Sequence, residues 1–385
     1  MSTDRILIHG STASRLTRTP AVGQIGSDDT LKKIVLGDGT TPGGKVMPDQ
    51  SDIDNAKARA NHTGSQDITT ITGLISFGGR LSLTSLSPNS ESDVSGGVNI
   101  YYVPLIGAYV PIYNGIVVAM VAIGAQLTLA LDSASAHAGY HQSGKNFDLF
   151  AINDAETIRL GTGPSWIAGA VAGSDVARGT GAGSTEIESF NGLLVNKNDI
   201  AIRFGASSGN TVAVPARQAT YLGSFRATAD GQASDSKTQR LVFNAYNLMF
   251  RNFRVGGVAN NYSYSTDAWQ SLAGTGLKAE FILGLRGTVV RAQAIALVLN
   301  STDTSRVVRS GIGLDSTSAP YDGGLTASIG VTTKLGQLVS FYEDYPGIGY
   351  HYLAPLERGA GTDTQTWFAY TAGNFRAGMV GSLLA

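Results

Sequence analysis

Forty-nine glycines, spread along the whole chain, set the first limit on what it can fold into. Together with Asn and Asp they supply the positive φ angles that tight turns need, and they leave little room for long helices. Between them stand short runs rich in Tyr, Val, Ile and Thr. Examples are Asn99 to Leu105, Tyr109 to Tyr113, Ile116 to Val121, Gln126 to Leu131 and Phe147 to Ile152. Ile200 to Phe204, Ala219 to Arg226, Ala279 to Leu285, Val289 to Leu299 and Leu335 to Tyr342 repeat the pattern. Such runs predict strands, and their spacing predicts antiparallel sheets. The fold class expected is all-β, with no solenoid repeat. Only Lys237 to Phe253 reads as mildly helical, with Leu241, Tyr246, Leu248 and Phe250 near one side.

Across 385 residues, 42% are hydrophobic and only 15% charged, which is low for a globular chain. A surface poor in Lys and Glu resembles subunit interface more than free monomer surface. The net charge is -1 and the basic residues are scattered, so nucleic acid is not an expected partner. Cysteine is absent, which removes disulfides and thiolate chemistry and suits folding in a reducing cytosol. The start, Met1 to Arg5, lacks the apolar core of a secretion signal. The most apolar run, Ile116 to Leu131, is broken by Gly124, Gln126 and Thr128, so it predicts paired strands rather than membrane insertion.

Four parts are expected: a small β head (1–50), a neck with a short helical turn (51–75), and β-sandwiches over 76–254 and 255–385. Head and neck carry too few apolar residues to hold their shape alone. Copies of the chain around a three-fold axis would supply the missing cover, so a homotrimer is expected. The Gly-rich segment from Gly169 to Gly183 contains little that forms a core and predicts an exposed loop.

Two sets of residues carry a family resemblance. In the head, Thr19-Pro-Ala-Val-Gly-Gln-Ile-Gly26 precedes Ile34-Val-Leu-Gly-Asp-Gly-Thr-Thr-Pro-Gly-Gly44. These phrases resemble the N-terminal module of many bacteriophage fibre and tropism proteins, a small intertwined β-domain used in trimeric attachment. Gln24-Ile25 stands where an acidic-apolar pair is commoner. The neck phrase Ala60 to Gln66 is similar to one that precedes the receptor-binding ends of tail fibres. In the body, His141 to Phe150, Arg159 to Trp166, Arg178 to Gly183, Ala219 to Gly223, Arg240 to Asn247, Gly313 to Ser316 and Gly347 to Leu353 follow the order of a phage structural module. That module occurs in fibre-like proteins of phages and of phage-derived gene transfer particles. The resemblance covers most of 96–385 and implies a virion surface component, assembled in the host bacterial cytoplasm. Residues 1–50 would attach to phage tail or capsid proteins, and the body would bind a host cell-surface glycan or protein.

Chemistry has few footholds. Glu343, Asp344 and Glu357 flank Tyr350-His-Tyr352, with Trp367 further on, and paired carboxylates beside aromatics are what a glycosidase uses. Solvated charges in a loop explain them as well. Asp132, His137 and His141 could share a metal, but Gly139 intervenes and no zincin Glu follows. His62 in the neck would meet its copies near an axis, where a polar residue facing water is the plainer reading. The Gly-rich Leu36 to Gly44 lacks the Lys-Ser/Thr pair of a phosphate loop, and no Gly-x-Ser-x-Gly elbow follows a strand. No catalytic residue, cofactor or resident metal is expected, and the chain is not expected to be an enzyme.

Binding falls to aromatics in turn-rich segments, since Tyr and Trp offer flat apolar area with a polar edge. Of Tyr262, Tyr264, Trp269, Tyr321, Tyr342, Tyr345, Tyr350, Tyr352 and Trp367, the candidate ligand-binding set is Tyr264, Trp269, Tyr321, Tyr350, Tyr352 and Trp367. The function expected is a trimeric phage fibre or spike. The alternatives are capsid decoration or a head fibre of purely structural role, and a polysaccharide-degrading tailspike.

Overall fold

The computed structural model describes residues 8–42, 44–48, 51–53, 75–89, 92–256, 261–368 and 377–385. The neck from Ala56 to Gly73, including His62, lies outside them. The chain is all-β, as its turn-rich alternation dictates, and it divides into two compact units, Met1–Asp67 and Ile68–Ala385. No helix among the described residues is long and apolar enough to cross a membrane.

The first unit carries a four-stranded sheet of Ile8–Gly10, Ile25–Asp28, Lys33–Leu36 and Lys45–Val46. Its first pairing is parallel and the other two antiparallel. Buried Asp28 organises the turn before Lys33–Leu36: its carboxylate accepts from the backbone N–H of Thr30 at 3.0 Å and of Leu31 at 2.9 Å.

Among its described residues, the second unit contains sheets of sixteen, six, three and two strands. Its largest sheet is built around Asn146–Asp154, which pairs antiparallel with Thr157–Ser165 on one edge and Ala219–Ala229 on the other. From Asn146 to Ile152 every residue is buried, the pattern of a strand covered on both faces. Phe147, Leu149 and Ala151 pack with Leu81, Ile100, Leu129, Leu222 and Phe225 on one side. Phe150 and Ile152 pack with Ile202, Ala219 and Tyr221 on the other. Further along the same sheet, Ala279–Leu283 pairs with Gly349–Arg358, which pairs in turn with Arg306–Leu314. This part faces the six-stranded sheet, centred on Val290–Asn300. Phe253, Val290, Ala292 and Met379 from one sheet meet Phe281, Leu283, Ile312 and Leu353 from the other.

The stretch Lys237 to Phe253 is strand and turn rather than helix: Gln239–Arg240, Val242–Asn244 and the start of Phe250–Gly256. Its asparagines decide this. Asn244 accepts from the backbone N–H of Leu81 at 2.6 Å, and Asn247 sits at φ 53° while donating to the carbonyls of Phe77 and Gly79.

The Gly-rich 169–183 segment is an irregular, mostly exposed loop, as expected, yet it is anchored to the sheet beneath it. It carries Arg178 inward onto Asp148, with Nε to Oδ2 at 2.5 Å and an NH group to Oδ1 at 2.8 Å. The same guanidinium lies 4.4 Å from the Trp166 ring centroid and donates to the Gly284 carbonyl at 3.0 Å. Thr185 and Ser224 satisfy the remaining lone pairs of the fully buried Asp148. Removing one partner from such a pair strands a buried charge, which typically costs about 3–5 kcal/mol. Arg178→Met is expected to lower unfolding stability by that order in urea titration. The double variant with Asp148→Leu should recover part of the loss; equal stability of wild type and single variant would contradict this role.

Candidate functional site

The two head phrases singled out in the sequence are in contact. Gly37 donates its N–H to the Gln24 carbonyl at 2.7 Å, Gly23 donates to Gly37 at 3.0 Å, and Gly39 donates to Pro20 at 3.1 Å. A Cβ on Gly37 would stand 2.1 Å from the Ala21 carbonyl oxygen, so only glycine permits the approach. Gln24 turns its side-chain oxygen back to the Ala21 N–H at 2.8 Å. Within the second phrase Asp38 accepts from the backbone N–H of Thr40 and Thr41 and from the Thr41 hydroxyl at 2.7 Å, an Asx turn that holds its carboxyl well below the usual range. The phrases therefore form one interlocked double turn.

That turn sits on a sheet without a core of its own. Among its described residues, Val35 is the one large apolar side chain buried in the first unit, while Val22 is 80% and Ile34 59% exposed. Leu16, Leu31, Leu36 and Met47 are also exposed.

In the body, the candidate carboxylates are separated. Glu343 lies on a strand of the six-stranded sheet, exposed, and pairs with Arg291 at 2.9 Å. Asp344 accepts from the Tyr321 hydroxyl and from the Tyr345 N–H. Glu357 belongs to the other sheet, is fully buried, and accepts from Tyr262, from Gln270 at 2.7 Å and from the Ala273 N–H at 3.2 Å. Burial is the largest influence on it and raises its pKa to about 7 against those three donors.

Asp132, His137 and His141 do come together, but as a hydrogen-bonded knot. His141 Nδ1 accepts from the Asp132 N–H at 2.8 Å, so Nε2 carries the proton and donates to Thr162 at 2.9 Å. Asp132 binds His137 at 2.9 Å and Arg203 at 2.8 Å. Burial lowers the His141 pKa to about 4. Among the described residues, no group of three or more His, Asp or Glu side chains is arranged to hold a metal ion.

The six candidate aromatics fall into different settings. Trp367 is fully buried and donates to the Tyr264 carbonyl at 2.9 Å, so it belongs to the core and offers no face to a ligand. Tyr264 is tied to the Ala268 carbonyl, and Tyr321 packs edge-on against Tyr342. Trp269 pairs in register with Arg358, whose guanidinium binds Asp267 at 2.6 Å. Tyr350 and Tyr352 stand together, two residues apart on one face of Gly349–Arg358.

Around these two tyrosines gathers a half-buried polar cluster that the aromatic inventory missed. Arg226 lies over the Tyr350 ring, 3.9 Å from its centroid, and Lys278 over Tyr352 at 4.8 Å. Glu280, opposite Tyr352 in register, accepts from the Tyr350 hydroxyl, from Gln239 at 2.8 Å and from Lys278 at 3.2 Å. Burial opposes its charge, yet these hydrogen bonds together outweigh it and lower its pKa. Lys278 and Glu280 were visible as an i, i+2 charged pair opening a strand, which period two places on one face. Arg226, distant in sequence, gave no such signal.

No family model matches the chain, and no curated protein matches it. Solved structures similar to it include Eiger TNF from S. frugiperda (11% identity, TM-score 0.24, 36% of this chain and 92% of that one). The Major Tropism Determinant U1 variant is also similar (12% identity, TM-score 0.19, 68% of this chain and 56% of that one). So is the I1 variant (12% identity, TM-score 0.19, 66% and 47%). The match thus spans about half the length of these two tropism determinants. At such TM-scores the likeness carries no argument about architecture or activity.

The buried carboxyl makes stability depend on pH. Its folded pKa of about 7 lies above the ordinary 4.5, so the folded state binds the extra proton between those values. That contribution is complete below pH 4.5 and disappears as pH rises through 7. Relative to wild type, Glu357→Gln is expected to gain stability progressively from pH 5 to 8, on the order of 2–3 kcal/mol in total. Thermal unfolding across that range measures it, and a constant difference between the two proteins would contradict the assignment.

Proposed function

We propose that the chain is a structural subunit of a tailed-phage particle, a fibre or spike. Residues 1–50 attach it to tail or capsid proteins, and the β body engages a host cell-surface glycan or protein. One observation carries the reading. The two head phrases that resemble phage fibre modules are separate in sequence yet lock together as a double turn. Residues that define a module by sequence therefore also define it physically.

The head's poverty in buried apolar side chains supports assembly with copies of the chain, three around an axis. In the body, the Tyr350–Tyr352 patch gathers tyrosine hydroxyls with carboxylate, amide and cationic groups, the polar groups that sugar hydroxyls use. Several weak sites held on one assembly gain apparent affinity by roughly 10² to 10⁴ without new contacts. Production in the host cytoplasm and residence in the virion complete the reading.

The test is binding of the labelled full-length protein to a panel of bacterial cells and their immobilised surface polysaccharides. Wild type is expected to bind at least one strain. Tyr352→Ala should weaken that binding roughly tenfold or more, the scale of losing about 1.4 kcal/mol per site, with an unchanged circular dichroism spectrum. Binding to no strain, while the protein still decorates particles, would overturn the host-binding role.

A further inference from the structure

Where the strand Asn146–Asp154 ends, three turns enclose a cavity of about 200 Å³. The turn after Tyr109–Tyr113 brings Asn114 to it, the turn after Asn146–Asp154 brings Glu156 beside Asn153, and the turn after Thr211–Val214 brings Gln218. Buried Ile112 and Val214 complete its wall. Register makes the convergence. Ile152 and Ala219 are the last partners of their two strands, so Asn153 and Gln218 follow just beyond that pair. The Thr220 hydroxyl donates to the Pro111 carbonyl at 2.8 Å and holds Tyr109–Tyr113 against the same strand. A Cβ on Gly115 would come 3.1 Å from Gln218 Nε2, so that amide abuts the Asn114 turn.

The polar groups gathered here are not used within the chain. Asn114 commits its side-chain oxygen to the N–H groups of Ile116 and Val117, at 3.0 and 2.9 Å, which leaves its NH₂ group free. Among the described residues, the side chains of Asn153, Glu156 and Gln218 meet no hydrogen-bond or ionic partner. The backbone that presents them is held against its preference. Ala155 and Glu156, at φ 46° and 70°, form a two-residue hairpin turn of the kind that suits Asn-Gly or Asp-Gly. Arg217, next to Gln218, stands at φ 72°. Such conformations persist where the surrounding structure over-determines them, and they cluster at binding sites. We infer that this pocket binds one neutral sugar ring.

Sugar hydroxyls both donate and accept, and the pocket answers both. The Glu156 carboxylate accepts, the Asn114 NH₂ donates, and the Asn153 and Gln218 amides do each. Size agrees, since about 200 Å³ falls below the roughly 300–1,000 Å³ of sites for drug-sized ligands and suits a single ring. Charge narrows the class. Glu156 disfavours a carboxylate or phosphate on the ligand, and the arginines next to these turns in sequence are taken: Arg159 by Asp154 and Arg217 by Glu188, each at 2.7 Å. No His or second carboxylate lines the cavity, so a divalent cation lacks its usual ligands there. The inference extends the glycan-binding reading of the body but rests on no residue of the Tyr350–Tyr352 patch.

The experiment is saturation-transfer NMR of the full-length protein with the methyl glycosides of glucose, galactose, mannose and N-acetylglucosamine, and with methyl glucuronide as the acidic counterpart. Wild type is expected to bind at least one neutral glycoside and not the glucuronide. Glu156→Gly removes the carboxylate at a backbone position that suits glycine, so it guards against misfolding. It and Gln218→Ala should each weaken binding at least about tenfold, while Tyr352→Ala leaves it unchanged. Binding of no neutral glycoside, equal binding by wild type and both pocket variants, preference for the glucuronide, or loss of the signal in Tyr352→Ala would overturn the inference. Glycoside binding by a protein that binds no bacterial cell keeps the pocket and removes host attachment; cell binding without glycoside binding does the reverse.

Discussion

A guanidinium and a carboxylate, both removed from water, hold the body together. Asp148 sits on the strand that the largest sheet is built around, and an isolated charge there would be very costly. Arg178 cancels it only because the Gly-rich segment folds back over the sheet, guided by Trp166 beneath the guanidinium. The same group reaches the Gly284 carbonyl at the end of Ala279–Leu283. A side chain at Gly284 would collide with the Tyr221 hydroxyl at 2.1 Å, so the approach depends on glycine as well as on charge. One ion pair thus joins three strands of one sheet to a loop that has no apolar core of its own.

A different constraint governs the surfaces. The head spends its apolar residues outward: a sheet with Val35 buried and Ile34 mostly exposed gains little from folding by itself. The six-stranded sheet of the body shows the same economy on its outer side, where Ile295, Leu297 and Leu299 are bulkier than the alanines beneath them. Both units, each considered by itself, thus leave large apolar side chains at the surface.

Much of the fold was legible. Strands expected at Asn99 to Leu105, Tyr109 to Tyr113 and Val289 to Leu299 lie where alternation and β-branched residues placed them, within a residue or so. What alternation does not report is polar burial. The Gly169 to Gly183 stretch looked empty because its anchor is a charged residue, Arg178, whose partner lies thirty positions away. Lys237 to Phe253 looked helical because Leu241, Tyr246 and Leu248 fall near one side, but Asn244 and Asn247 bond to the Phe77 to Leu81 backbone instead. In the candidate site, Tyr350 and Tyr352 were legible as neighbours two apart on a strand. Trp367 was not legible as core, since its burial depends on a sheet partner, Val298, far away in the sequence.

Hydroxyl-radical labelling of the intact protein, read residue by residue, tests the shared-surface account most directly. Met47 in the head is 45% exposed on a single chain, and Ile116 in the body is 85% exposed. The account predicts that Met47 is shielded at micromolar concentration while Ile116 labels freely. Labelling of Met47 at the rate expected from its single-chain exposure would contradict it.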